Sequence, residues 1–452
     1  MTAAAENARM LAALMGAELD EAAERLDRKV LVTSDGSPSA LAWGSEIVAL
    51  LERTVAVTTH PQQADVELII GQAAPRSSAK ALFTTIDERE AKVGTERCTA
   101  GVEQPHALFR TIAACPVAAA VLHAVIGVPS LPSVPDPLVI SKAELGFPDL
   151  ANLKPLHFTD AVLVGAGAVA HGFLRALRHV PTTGEITILD PKLVGAGNPN
   201  RCLYLDADDV GQPKANVLAQ KASGDFLHLT LSPATVEFQD FMAGRGPVGT
   251  VIVTVDSRRA RRSIQKFLPG AVFDASTTDV RGVVVHAHKQ PTANACLACI
   301  YRHIPDEHAR ERSIADGLGL ELETIKAGFI SQEVAEQLAT MHAGIDATAI
   351  AGKAFDTLFR ELCGAQALRT PEGKQVLAPF AFVSALAGAL LVLEMLRWAA
   401  EAPQVNYWQV DPWKAPLRRL RKLRSRHPEC EFCSRPESQS LASSLWGDQR
   451  ED

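Results

Sequence analysis

Two CxxC pairs, Cys296/Cys299 and Cys430/Cys433, have the spacing of one tetrahedral zinc site although 131 positions separate Cys299 from Cys430. A structural zinc takes four soft ligands, and two intervening residues let one turn present both thiolates to a single ion. A chain that completes such a site must bring its late segment back to its middle, which demands a closed fold. One CxxC alone would read as a redox dithiol. Half of the eight cysteines fall in the two pairs, which favours a metal over coincidence.

At 452 residues the chain exceeds the size at which a single core keeps growing, so at least two domains are expected. The net charge of −7, from 52 acidic and 45 basic residues, supplies no polybasic field for nucleic acid or an anionic membrane. Neither is expected as a partner. The single basic run, Arg418, Arg419, Arg421, Lys422, Arg424 and Arg426, alternates with Leu417, Leu420 and Leu423 and reads as a solvated face leading to Cys430. The N-terminus, with Glu6, Arg9, Glu18 and Asp20 among alanines and leucines, reads as an amphipathic helix and not a signal peptide. The longest apolar stretch, from Phe380 to Leu393, is short for a bilayer. A cytoplasmic protein is expected, its cysteines reduced.

Strands at Val30 to Val32, Val55 to Thr58, Val66 to Ile70 and Leu82 to Ile86, with helices at Ala40 to Leu51 and Ala107 to Val125, predict a small α/β domain over residues 1–127. Its first strand-to-helix turn, Thr33 to Pro38, lacks the paired glycines of a phosphate loop, so it is given no catalytic role. Clustered prolines (Pro129, Pro132, Pro135, Pro137, Pro148 and Pro155) mark residues 128–155 as a linker. A second domain is expected over 156–436, with a helical insertion at about 300–377 and a polar tail at 437–452.

The second domain opens with the buried strand Ala161 to Val164, followed at once by Gly165-Ala166-Gly167-Ala168-Val169-Ala170 and then a helix. In this G-x-G-x-x-A pattern Gly165 makes the tight turn, Gly167 lets a phosphate approach the backbone, and Ala170 permits close helix packing. A second strand, Ile186 to Leu189, ends in Asp190, placed to accept hydrogen bonds from ribose hydroxyls. Together they predict a doubly wound, Rossmann-like nucleotide-binding domain. A dehydrogenase is the default reading of this pattern. Arg201, Lys214 and the strand-terminal Asp256 argue instead for a triphosphate with magnesium, since hydride transfer needs none of them.

From Phe158 to Cys433 the chain resembles the ubiquitin-activating superfamily, whose bacterial members include the ThiF- and MoeB-type enzymes that adenylate sulfur-carrier proteins. Gly165, Gly167 and Ala170 match its glycine loop, Asp190 its ribose aspartate, Asn198 and Arg201 its asparagine and arginine finger, Lys214 its phosphate lysine and Asp256 its magnesium aspartate. The two CxxC pairs match its zinc site. The resemblance implies ATP, magnesium and zinc as cofactors, and adenylation of the C-terminal carboxylate of a ubiquitin-like or sulfur-carrier-like protein. In the resembling family the arginine finger reaches the site from a partner subunit, which implies a homodimer, or a pseudodimer with an N-terminal domain that is a degenerate adenylation-like unit.

Some positions depart from the pattern. Lys192 stands where the family commonly has a second aspartate, Cys202 stands where it has a glutamine, and the family's N-terminal arginine-bearing helix is replaced by the α/β domain. Many relatives pass the acyl group to a cysteine between the first CxxC and the late apolar helix, and Cys363 is the one cysteine in that interval. Its helical spacing from Phe355, Leu358, Phe359 and Leu362 places it on an apolar face, so a buried inert thiol and a provisional thioester nucleophile both stay open. The long insertion and the extra domain suggest a bacterial activating enzyme for a ubiquitin-like modifier, with a conjugating enzyme as a further partner. Adenylation of a ribosomal peptide or small metabolite, and a noncatalytic nucleotide-binding scaffold, are the competing readings.

Overall fold

Six strands of the first half form one sheet: β1 (Lys29–Ser34), β2 (Ala56–Thr58), β3 (Val66–Ile70), β4 (Lys80–Ile86), β5 (Glu90–Gly94) and β6 (Leu138–Ser141), in the order β2-β1-β3-β4-β5-β6. The computed structural model describes residues 2–97, 100–150, 153–302, 305–342, 345–353, 355, 358–359, 380–402 and 405–447. The second sheet contains β7 (Leu156–Val164), β8 (Thr182–Leu189), β9 (Leu229–Ala234), β10 (Thr250–Val253), β11 (Ala271–Asp279), β12 (Gly282–Lys289), β13 (Tyr407–Val410) and β14 (Arg421–Lys422). Its order is β14-β13-β12-β11-β10-β7-β8-β9.

The two sheets share one plan. In each, parallel pairing runs through the first strands (β2-β1-β3-β4 and β8-β7-β10-β11) and then turns antiparallel (β4-β5-β6 and β11-β12-β13). The smaller sheet is the larger one without its outer strands β9 and β14. A long apolar helix precedes the last shared strand in both halves, Ala107–Ile126 before β6 and Ala381–Ala399 before β13.

Those two helices pack together, and one hydrophobic core runs through both halves. Each is long and apolar enough to cross a membrane by length and composition, but 83% and 94% of their apolar windows lie inside the fold. The Ala381–Ala399 helix also crosses Ala168–Leu177, the helix after the glycine loop. The crossing depends on small residues. A Cβ on Gly388 would stand 2.1 Å from the Phe173 nitrogen, and one on Gly172 would stand 2.7 Å from the Ala385 Cα. Glu46 on the first-half helix Pro38–Leu51 pairs with Arg175 (3.1 Å) and Arg178 (2.5 Å), tying the halves at their rim.

Several expectations need correction. Strand β5 was not foreseen, and β6 lies inside the proline-rich stretch 128–155, where the prolines flank a strand that completes the first sheet. The tail contributes a helix, Pro436–Trp446, whose Trp446 indole donates to the Leu268 carbonyl at 2.8 Å. Arg421 in the basic run is buried, stacked 3.7 Å above the Trp408 ring and ion-paired with Glu394, so that run is not wholly a solvated face. The insertion is helical where described, with Pro305–Leu318, Leu322–Lys326, Gln332–Met341 and Ala347–Ile350 around a small core of their own.

Candidate nucleotide site and cysteine cluster

Strand β7 ends at Val164, and the chain turns sharply because Gly165 adopts φ +95°, a conformation that strains any side chain. The turn is pinned: Gly165 N donates to Leu189 O at 2.8 Å, and the Thr254 hydroxyl donates to Gly165 O at 2.8 Å. Gly167 caps the Ala168–Leu177 helix without a side-chain hydrogen bond, and a Cβ there would meet no atom within 4 Å. The helix N-terminus therefore faces open space, and since the first amides of a helix have no intrahelical acceptor it is a surface suited to phosphate.

Asp190, at the end of β8, is 7% exposed and accepts Ala166 N at 2.8 Å and Lys192 N at 2.9 Å. The carboxylate thus fixes the glycine loop, and its remaining lone pairs can accept ribose hydroxyls. Beyond it, Asn198 Oδ1 accepts Gly195 N at 2.8 Å, and Asn198–Asn200 form a single 3₁₀ turn that delivers Arg201. Arg201 Nη1 donates to Asn200 Oδ1 at 2.8 Å. Lys214 begins the helix Lys214–Ser223, its amide donating to Lys192 O at 2.9 Å.

Cys202 reports how closely these parts converge. It is 2% exposed and packs with Ala168 and Val217, and its electrostatic neighbours include Arg201, Lys214 and Asp190. Burial pushes its thiol pKa up, which makes it a packing residue. His171 is also buried. Its Nδ1 accepts Tyr204 N at 3.1 Å, and burial, then the Lys214 charge, depress it to about 3, so the neutral ring bridges the glycine-loop helix to the Arg201 loop.

Asp256 follows β10 and is exposed, while Ser257 next to it caps the helix Arg258–Lys266 by accepting Ala260 N at 3.3 Å. Arg261 is a buried anchor, 2% exposed. It donates to Asp274 at 2.7 Å and to the Val255 and Ala275 carbonyls, and lies 4.6 Å above the Tyr301 ring. Glu237, which caps the short Phe238–Phe241 helix after β9, has Asp190, Asp240 and Asp256 as acidic neighbours; burial, then Asp190, raise its carboxyl to about 7.

The insertion closes over this edge. Arg259 donates to Ile325 O at 2.9 Å and to Glu311 at 2.5 Å. Between the insertion and the Phe238–Phe241 turn lies an open groove of about 480 Å³, with Gln239 and Asp240 on one side and Phe329, Ile330, Ser331 and Gly352 on the other.

The four paired cysteines do meet. All are buried, their sulfurs lie within 4.8 Å of one another, and Sγ–Sγ separations are 3.8 Å (Cys296/Cys299), 3.7 Å (Cys296/Cys430) and 3.3 Å (Cys299/Cys433). Four thiolates around zinc at about 2.3 Å stand roughly 3.8 Å apart, so the cluster fits a tetrahedral ion. The His427 amide donates to Cys299 Sγ at 3.3 Å, the kind of bond that steadies a metal-bound thiolate.

Gly165, Gly167, Ala170, Asp190, Asn198, Arg201, Lys214 and Asp256 thus all belong to the loops and helix starts at the carboxyl edge of the parallel strands, Arg201 directly after the Asn198–Asn200 turn. Cys363 lies outside the described residues. Sequence reasoning missed Thr254, Glu237, Asn200, Asp274 and Tyr301. Only Tyr301, two residues beyond the first CxxC, carried a positional signal.

The ThiF family model matches residues 141–432, and the model for the E1 N-terminal domain matches residues 1–148. The chain belongs to the ThiF family. Protein y4jF of Sinorhizobium fredii (strain NBRC 101917 / NGR234) is 25% identical over 265 residues, 55% of this chain. The chain spans about half the length of that curated relative, 50%. Among solved structures, E. coli MccB with ATP is 14% identical at a TM-score of 0.39, over 61% of this chain and 66% of its own. E. coli MccB with MccA-N7isoASN is 13% identical at 0.39, over 61% and 67%. At that distance neither adds to the family assignment.

Proposed function

We propose that this chain is an ATP-dependent adenylyltransferase that activates the C-terminal carboxylate of a ubiquitin-like or sulfur-carrier-like protein. The observation that carries the reading is geometric: Cys202, next to Arg201, packs against Ala168 of the glycine-loop helix and Val217 of the Lys214 helix, and Lys192 joins the Lys214 amide to the Asp190 carboxylate through bonds of 2.9 Å each. Two cations beside an anion-binding helix start suit a triphosphate better than a dinucleotide.

In the reaction a carboxylate oxygen of the substrate attacks the α-phosphorus of ATP. The new O–P bond gives an acyl adenylate as the bond to the β-phosphate oxygen breaks, and pyrophosphate carries the electron pair away. The nucleophile is already ionised, so no side-chain base is required. The protein positions and neutralises: loop amides cradle phosphate, Arg201 and Lys214 offset its charge, and Asp190 orients the ribose. Asp256 is an exposed hard oxygen ligand beside the loop and fits magnesium, which when bound spreads phosphate charge. The Cys296/Cys299/Cys430/Cys433 cluster fits a structural zinc with no part in the chemistry.

The N-terminal domain shares the strand plan of the adenylation domain and has lost its phosphate loop. Asp35 occupies the equivalent turn, accepting Ser37 N at 3.0 Å and Gln72 N at 3.3 Å, and a Cβ on Gly71 would stand 2.1 Å from its Oδ2. Pairing of the two halves inside one chain supports an intrachain pseudodimer. The insertion, latched by Arg259, is the docking surface for the carrier protein, and a conjugating enzyme would collect the product if Cys363 forms a thioester.

Exchange of labelled pyrophosphate into ATP tests this reading. Exchange that requires a small folded protein with an intact C-terminal glycine pair supports it. Exchange with a short peptide or a metabolite instead would move the assignment to those substrates, and ATP binding without exchange for any carboxylate would leave a nucleotide-binding scaffold.

A further inference from the structure

Arg53 and Asn7 belong to the first half of the chain, yet both reach the loop that carries Arg201. The Arg53 guanidinium donates to three main-chain carbonyls of that loop: Pro199 O and Leu205 O at 2.7 Å each, and Leu203 O at 2.8 Å. Asn7, 4% exposed on the helix Ala3–Met15, sits between them. Its Nδ2 donates to Arg53 O at 2.7 Å, and its Oδ1 accepts Asn200 Nδ2 at 3.0 Å.

The hydrogen bonds run in one direction. Arg201 Nη1 donates to Asn200 Oδ1, Asn200 Nδ2 donates to Asn7 Oδ1, and Asn7 Nδ2 donates to the Arg53 carbonyl. Each amide presents its oxygen toward Arg201 and its nitrogen toward Arg53, so every link sets the orientation of the next. Aligned bonds of this kind reinforce one another in a buried setting. The same helix also limits the loop from below: a Cβ on Gly197 would stand 3.1 Å from Glu6 Cγ. The loop is also held by His171, whose Nδ1 accepts from Tyr204 N.

We infer that the N-terminal domain is a positioning element for catalysis, and that the Arg201–Asn200–Asn7–Arg53 relay holds the Arg201 guanidinium where the phosphates bind. The inference rests on the adenylation reading for its kinetic part only. Arg53 and Asn7 are positioning residues, since their hydrogen bonds go to the loop around Arg201 and to each other. The halves are thereby dependent on each other: the second supplies the chemistry, and the first supplies the geometry of one of its cations.

The test uses the full chain and the variants Asn7→Ala, Asn7→Asp, Arg53→Lys and Arg201→Ala, with pyrophosphate exchange and amide hydrogen exchange read in parallel. Asn7→Ala should lower kcat tenfold or more while KM for ATP changes less than threefold, and should cost nothing further in an Arg201→Ala background. Asn7→Asp keeps an acceptor for Asn200 but turns a second oxygen toward the Arg53 carbonyl in a buried site, so its kcat should fall at least as far as that of Asn7→Ala. Hydrogen exchange should accelerate over residues 197–205 in Asn7→Ala and Arg53→Lys with β7 and β10 unchanged. Equal penalties for Asn7→Ala in the wild-type and Arg201→Ala backgrounds would overturn the relay. So would unchanged protection of 197–205, which is read without any turnover and therefore separates failure of the relay from failure of the adenylation reading.

Discussion

Tyr301 donates its hydroxyl hydrogen to Asp274 at 2.6 Å, and this bond joins the cysteine cluster to the nucleotide edge. Tyr301 lies two residues beyond Cys299, while Asp274 pairs with Arg261, which in turn holds the Val255 carbonyl immediately before Asp256. Two more links point the same way. Leu297 N donates to Gln265 at 3.1 Å, and Arg262 pairs with Glu431, so both CxxC turns grip the Arg258–Lys266 helix.

Tyr301→Phe removes one hydroxyl and leaves the sulfurs in place. Asp274 then loses a donor in a buried site, at a cost of about 1–3 kcal/mol. Thermal denaturation should show the loss, zinc content by atomic absorption should be unchanged, and the exchange rate should fall because Val255 and Asp256 are held less firmly.

Cys430→Ser should release zinc, lower Tm and reduce exchange, because binding free energy of a structural metal is folding free energy. Chelation of the wild-type protein should reproduce these effects, and readdition of zinc should reverse them. Full zinc and full exchange in Cys430→Ser would show that the four thiols do not form the clasp.

Gly388→Ala places a methyl group against the backbone of Phe173 and Gly172. Overpacking of this kind costs about 1–3 kcal/mol, against a helix-propensity gain of roughly 1 kcal/mol. A lower Tm is expected, together with weaker ATP binding, because Gly172 lies on the glycine-loop helix.

Glu237 gives the site a pH dependence with a definite sign. Its folded pKa, about 7, lies above the ordinary 4.5, so between those values the folded state binds more protons and stability falls as pH rises. Ionisation also adds negative charge beside the phosphates. Wild-type Tm should therefore decline across this window more steeply than that of Glu237→Gln, and ATP affinity should decline more steeply from pH 6 to 8. Parallel profiles for the two proteins would remove Glu237 from the site.

The glycine loop was legible because Gly165, Gly167 and Asp190 are local in sequence and each has a steric or hydrogen-bonding reason for its place. The cysteine cluster was legible because thiolate chemistry imposes short spacing within each pair, whatever separates the pairs. Strand β6 was obscured by prolines that flank it, and β5 by its charged pattern Glu90, Ala91, Lys92, Val93. Buried polar residues are hard to see in a sequence for a common reason. Arg261, Arg421 and Asn7 look like surface residues in sequence, and only tertiary partners such as Asp274, Glu394 and Asn200 make their burial tolerable. The role of Arg53 depends on carbonyls of residues 199–205, and carbonyl positions leave no trace in residue identity.

The most direct measurement follows oxygen. A carrier protein labelled with ¹⁸O in its C-terminal carboxylate is incubated with the enzyme, ATP and an amine or thiol acceptor, and the released AMP and pyrophosphate are weighed by mass spectrometry. Attack on the α-phosphorus predicts one ¹⁸O in AMP and none in pyrophosphate. Label in pyrophosphate or orthophosphate, with AMP unlabelled, would contradict adenylation and place the attack at another phosphorus.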